Sequence, residues 1–279
     1  MAVLSVDLAT RSWSDLGVVV LEQRGSSIHC EVLGWQDSAP PPVVELALRL
    51  DQTAGQHGAQ VLMLDGPQAW KSDDNGFAHS RVSERALNTA AKMGLPGTVL
   101  PGTYERFVGY CLALYDALAR LGWERLATSE YPGHAPKKIL VESYPHAAWK
   151  SLGIKPLPAK RKCRVSHLAE AWAALGEMLP ITASQPPNHD QLQAIVGGLP
   201  GLAITARAPS QQAAQQAAQQ AGSTTETTTP PAPTGSRIVG EPPRQEGGHW
   251  REGFIVLPVP PAVSSIHWLN SNDRPRNNN

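Results

Sequence analysis

The chain has 279 residues, enough for one large domain or two small ones with a sizeable core. Its 24 basic and 24 acidic residues give a formal charge of zero, so bulk attraction to a polyanion is excluded and any nucleic-acid contact must come from a local patch. Cys30, Cys111 and Cys163 are widely spaced and form no CxxC pair, which predicts reduced thiols, mostly in the core, in a cytosol-like compartment. The opening stretch, Met1 to Asp7, lacks a basic region, and no apolar run approaches the roughly 20 residues of a membrane span. The expectation is a soluble, cytoplasmic protein with no membrane contact.

In chain order, apolar runs at 3–6, 16–21 and 28–35 sit at hairpin spacing and predict an antiparallel meander. After three prolines at 40–42, the spacing of Val43, Leu46, Ala47 and Leu50 predicts a helix over 43–57. The run Val61-Leu62-Met63-Leu64 reads as a strand buried on both faces, as in a parallel sheet, and stops at Asp65-Gly66-Pro67. Helical patterns follow at 79–93 and 104–121. A second such strand, Ile139-Leu140-Val141, is closed by Glu142, and helices are expected at 146–152, 163–178 and 189–199. Gln/Ala repeats and a Ser/Thr/Pro stretch at 207–236 are too polar for a core and read as a disordered insertion into a domain spanning 1–206. Residues 237–269 are expected to return to that domain, with an edge strand at 251–258 and a frayed tail at 270–279. Strands first, then strands alternating with helices, predict an α/β fold: a mixed sheet of an antiparallel three-strand meander plus parallel strands, with helices on both faces.

Asp7, Asp65 and Glu142 each end an apolar strand, at the sheet edge where open α/β folds bind ligands. Three carboxylates gathered there repel one another unless a cation joins them. All-oxygen donors favour magnesium or manganese over zinc. Any one of these acids is as readily a cap for a strand or a following helix; three at matching positions point to a shared site. Asp190 falls in the first turn of the 189–199 helix, where it either joins that site or complements the helix dipole. Position 193, on the same helical face, is glutamine.

The densest basic cluster is Lys155, Lys160, Arg161, Lys162 and Arg164, a candidate contact for a nucleic-acid backbone or an ordinary solvated loop. Arg81 and Arg85, four apart on one expected helix face, could hold a phosphate or pair with acids. Lys71 lies close behind the Asp65 turn. Trp149 and Trp172 read as core. His146, His167 and His189 show no zinc spacing, and no Walker loop, GxGxxG or GxSxG occurs.

The Asp7 strand, the Leu64-Asp65-Gly66-Pro67 turn, Arg81-Val82-Ser83-Glu84-Arg85, Val141-Glu142-Ser143-Tyr144-Pro145, the His189-Asp190 helix and the late Glu252-Gly253-Phe254-Ile255 segment occur in one order. In that order they resemble domain-of-unknown-function family 429, a family of predicted RNase H-like nucleases. The resemblance implies an RNase H-like fold and a metal site of Asp7, Asp65, Glu142 and the late helix. It implies hydrolysis of phosphodiester bonds in nucleic acid by a two-metal mechanism, with magnesium or manganese as cofactor. The family's Asp-Ala-Leu on that helix, similar to the paired helix acids of Holliday-junction resolvases, is Gln193-Ala194-Ile195 here, and a neutral glutamine oxygen binds a divalent ion more weakly. Two other expectations stand beside the nuclease: a catalytically weakened nucleic-acid-binding module on the same fold, and an actin-like kinase or ATPase, from the faint likeness of Asp7-Leu8-Ala9-Thr10 to a phosphate loop.

Overall fold

The computed structural model describes residues 2–128, 138–219, 234–260 and 268–270, with backbone alone over 205–219 and 268–270. Strands β1 (Ala2–Asp7), β2 (Gly17–Arg24) and β3 (Ser27–Leu33) form the antiparallel meander. The β2–β3 turn is two residues long, and Gly25 supplies the positive φ such a hairpin needs. Helix α1 (Val43–Gln56) leads into β4 (Ala59–Asp65), parallel to β1. Then come α2 (Val82–Leu87), a small hairpin of β5 (Lys92–Met93) and β6 (Val99–Leu100), α3 (Glu105–Arg120), and β7 (Glu124–Arg125). Strand β8 (Ile139–Ser143) runs parallel to β4. It is followed by α4 (Pro145–Ser151), α5 (Val165–Met178), β9 (Ile181–Ala183) and α6 (His189–Gln219). The last elements are β10 (Gly235–Val239), β11 (Arg244–Glu246), β12 (His249–Arg251), β13 (Ile255–Val259) and β14 (Trp268–Asn270).

The main sheet runs β14-β10-β13-β8-β4-β1-β2-β3-β9, with β7 also on β8. Its centre, β3-β2-β1-β4-β8, is an antiparallel meander extended by two parallel strands, with helices on both faces. This is an RNase H-like fold. Side-chain alternation sorts the core: Val3, Val61, Met63 and Val141 pack with Trp149, Leu175 and Leu192 from α4, α5 and α6. Leu4, Leu62, Leu64 and Leu140 pack on the other face with Leu46 and Leu50 of α1 and Leu114 and Leu118 of α3.

Several expectations are corrected. The helix predicted over 79–93 is only Val82–Leu87: Asn88 turns left-handed (φ 51°), and the Glu84 carboxylate accepts from the Met93 amide, folding the chain back into β5. The helix predicted to end near 199 continues to Gln219, so the Gln/Ala repeats, expected to be disordered, extend α6. Gly197 and Gly198 do not end the helix, because they serve packing. A Cβ on Gly198 would lie 2.4 Å from Leu21 and 2.6 Å from Ser5, and one on Gly201 2.6 Å from Val3. Residues 220–233 and 271–279 lie outside the described residues. The strand expected at the sheet edge over 251–258 begins only at Ile255, and β13 is interior, between β8 and β10, because 235–239 already form a covering strand.

Because α6 sits that close to the sheet, Gly198→Ala must displace Leu21 or Ser5. A loss of about 2 kcal/mol in unfolding free energy is expected on chemical denaturation, the usual cost of overpacking a filled core; an unchanged midpoint would show that the helix can lift freely.

Candidate active site

Asp7 and Asp65 end adjacent parallel strands and are in register. Each lies two residues after one that faces α6, Ser5 and Met63, so both side chains emerge on the α6 side of the C-terminal sheet edge. They lie within hydrogen-bonding reach of each other. Burial, then the charge of Asp65, holds the Asp7 carboxyl well above its ordinary range. Burial also pushes Asp65 up, to about 7, although the hydrogen bond from Asp7 works against that rise. Two carboxyls this close oppose each other's ionisation, so the pair holds a proton to higher pH than a free carboxyl does.

Asp190 approaches the pair from α6. The helix start is fixed by a reciprocal cap: Asn188 Oδ1 accepts from the Gln191 amide and Gln191 Oε1 from the Asn188 amide. Gly17, opposite Asp7 on β2, makes the approach possible, since a Cβ there would lie 2.1 Å from the Asp190 carbonyl oxygen. Burial would raise Asp190, but hydrogen bonds from His189 and Lys160 outweigh it and hold the carboxyl below its usual range. Lys160 Nζ donates to Asp190 Oδ2 at 2.5 Å and to Asp15 Oδ1 at 2.9 Å. These bonds overcome its partial burial and raise its own pKa.

Glu142 departs from the expected set. It pairs in register with Leu64, not Asp65, so strand alternation turns its side chain to the opposite face. There Arg81 takes both oxygens, Nη2 to Oε1 at 2.6 Å and Nη1 to Oε2 at 2.8 Å, while Arg81 Nε donates to Glu84 at 3.0 Å. The residue in register with Asp65 is Ser143, whose hydroxyl faces Gly197 of α6. Of the two expectations for Arg81 and Arg85, a phosphate or acids, Arg81 follows the second: it is 1% exposed and a buried ion-pair partner, so it is not a phosphate ligand, and exposed Arg85 lies over the Phe77 ring. The loop carrying Arg81 is tied down by Glu252, which accepts from the Ser72 amide and hydroxyl, Asn75 Nδ2 and the Val82 amide. Sequence reading had noted Glu252 only within a motif; nothing local to it reveals partners some 170 residues away.

Lys71 is buried and donates to the Ser72 carbonyl, away from the pair. Arg161 and Lys162 are exposed beside Lys160 in a short 3-10 turn. Trp149 is in the core, where its Nε1 donates to Gln193 Oε1 at 2.7 Å, so that oxygen is turned from the aspartates. A cavity of about 430 Å³ opens beside Asp65, lined by Tyr104, Phe107 and Tyr144 among others. A second, of about 600 Å³, runs between α5 and residues 153–158 and includes none of these carboxylates.

Among the described residues, no group of three or more His, Cys, Asp or Glu side chains is arranged to hold a metal ion. Asp7 and Asp65 nevertheless fit a hard divalent cation: they supply only oxygen, and a magnesium site commonly takes one or two carboxylates, leaving the rest to water and substrate phosphate. Glu142 and Gln193 do not fit, because Arg81 and Trp149 hold them.

The strand order and the site at the end of β1 and β4 define an RNase H-like domain. No family model matches the chain, and no curated protein matches it. Two solved structures of Thermus thermophilus RuvC, one of the protein and one in complex with Holliday junction substrate, align with 74% of this chain and 96% of theirs. Their identities are 13% and 14%, and each has a TM-score of 0.36. A likeness that loose carries no argument about this chain. No helix among the described residues is long and apolar enough to cross a membrane.

The proton held by the pair sets a pH dependence. A carboxyl whose folded pKa is raised stabilises the fold below its unfolded pKa, and that contribution is lost as pH rises through the folded value. In chelating buffer, stability therefore falls between about pH 4 and about pH 7 on account of this pair. Asp7→Asn removes one charge and is expected to unfold at higher denaturant than wild type above that window, by at least ~1 kcal/mol, about one unit of pKa difference. Equal midpoints would mean that the pair is not coupled.

Proposed function

We propose that the protein is a divalent-metal-dependent phosphodiesterase of the RNase H-like superfamily acting on nucleic acid, within or close to domain-of-unknown-function family 429. The observation that carries this reading is the Asp7–Asp65 pair, in register at the C-terminal edge, partly buried, and without a cation touching it among the described residues. Asp7 and Asp65 would hold one magnesium or manganese ion, which would supply Lewis-acid polarisation of a phosphoryl oxygen. Asp190 lies near enough to raise the Asp7 pKa and is placed to orient water or a proton at the same edge. Lys160, bridging Asp190 and Asp15, with exposed Arg161 and Lys162 beside it, offers positive charge to the phosphate backbone. The two-metal arrangement is reduced to one ion, because Arg81 and Trp149 engage the side chains a second ion would need.

Those same engagements favour a second reading, a binding module whose catalysis is weakened. It predicts salt-sensitive nucleic-acid binding without turnover. Gln193→Asp would not restore a ligand, because position 193 faces Trp149.

Manganese calorimetry separates the outcomes. Wild type is expected to bind one ion, with binding lost in Asp7→Asn and in Asp65→Asn, and oligonucleotide cleavage following the same pattern. Binding without cleavage would select the module; no binding to wild type would reject the metal site.

A further inference from the structure

The groups around the aspartate pair are ordered across the sheet edge. On the β2 side of Asp7 lie Asp190, Lys160 and Asp15; on the far side of Asp65 lies the roughly 430 Å³ cavity. The pKa influences follow the same order: Asp190 and Lys160 act on Asp7, and Glu142 acts on Asp65. With exposed Arg161 and Lys162 beside Lys160, three cations stand against Asp190 and Asp15 there, so a ligand held at the pair has a modestly basic side and a cavity side.

The cavity wall selects what can enter. Three rings from two segments line it: Tyr104 and Phe107 at the start of α3, and Tyr144 before α4. All three are partly accessible rather than sealed in the core. Tyr144 lines the same cavity as Asp65, and burial, then the charge of Asp65, raise its phenol pKa. The remaining charged lining is the Arg81 guanidinium, committed to Glu84 and Glu142, and those two carboxylates. With Asp65 at the mouth, the wall carries more negative than positive charge, which disfavours a phosphate inside. A neutral, planar, heteroaromatic ring meets both conditions, because every base presents a π-face to such side chains and adds no negative charge.

We propose that this cavity receives one unstacked nucleobase, with the attached phosphate at Asp7–Asp65 and the onward backbone toward Lys160, Arg161 and Lys162. The substrate class is then single-stranded or locally unpaired nucleic acid, because a base inside continuous duplex cannot enter without leaving its stack. This rests on the phosphodiesterase reading and narrows it.

The test is an anisotropy titration in calcium buffer with a labelled oligothymidylate and, separately, a duplex of equal length. Wild type is expected to bind the single strand at least about tenfold more tightly. Tyr104→Ala and Phe107→Ala should each lose about tenfold for the single strand, the scale of one base–ring stack, while Tyr104→Phe keeps it. Manganese affinity should be unchanged in all three. Equal affinity of wild type for single strand and duplex, or wild-type binding by both alanine variants, overturns the proposal. If the alanine variants also lose manganese, the comparison on wild type decides. If wild type binds no manganese yet discriminates by the rings, the metal reading falls and the base site stands.

Discussion

The seating of α6 against β1 and β2 is the constraint on which the site depends. At Gly17, Gly198 and Gly201 an added Cβ would fall 2.1 to 2.6 Å from its nearest neighbour, so helix and sheet touch through backbone. Ser5, fully buried, donates its hydroxyl to the Ala194 carbonyl, a polar tie midway along the contact. A helix held at these points has little freedom to rise or roll, and its first turn is delivered to the end of β1. The proximity of Asp190 to Asp7, and of Lys160 through Asp190, is therefore a consequence of packing several turns away. Any side chain at position 17 would lift that first turn directly.

Charge is distributed unevenly around this frame. Arg81 compensates Glu84 and Glu142 where little of any of the three side chains reaches solvent and an unpaired charge would be costly. Glu252, equally buried, is met by backbone and side-chain donors from the loop that carries Arg81. Lys160 and His189 attend to Asp190. Among the described residues no ion pair reaches Asp7 or Asp65, and those two retain a proton between them instead. The fold has thus supplied Glu84, Glu142 and Asp190 with cations and Glu252 with hydrogen-bond donors, and the residual demand for positive charge is concentrated at one position.

The order of strands and the placement of Asp7, Asp65 and Glu142 at strand ends were legible, because parallel strands buried on both faces announce themselves as apolar runs and their ends as breaks. What was not legible was register. Asp65 and Glu142 look equivalent in sequence, each closing a run of three or four apolar residues, yet a one-residue offset between β4 and β8 places them on opposite faces. The sequence leaves Arg81 open between a phosphate and acids for a similar reason: its partners Glu142 and Glu252 lie 61 and 171 residues away. Gly197 and Gly198 say little in sequence, because glycine in a helix is usually a cost, and only the opposing surface shows that close approach is the compensation. The strand at 235–239 was hidden by the polar segment before it.

Position 193 brings these threads together. On α6 it lies three residues from Asp190, close enough in angle that a sequence reading puts both on the site, but the rotation between them is enough to send Gln193 to Trp149 on α4. The indole N–H is buried and takes the glutamine oxygen as its acceptor, so the amide completes the core and leaves the edge with fewer donors. On the proposed reading, two carboxylates would then have to share the coordination of a cation with the substrate's own phosphate oxygens. Cation and substrate binding become linked: each raises the affinity for the other by the same factor. A site so built would hold metal weakly when empty of nucleic acid, and the protonated Asp7–Asp65 pair is the state it would occupy in the meantime.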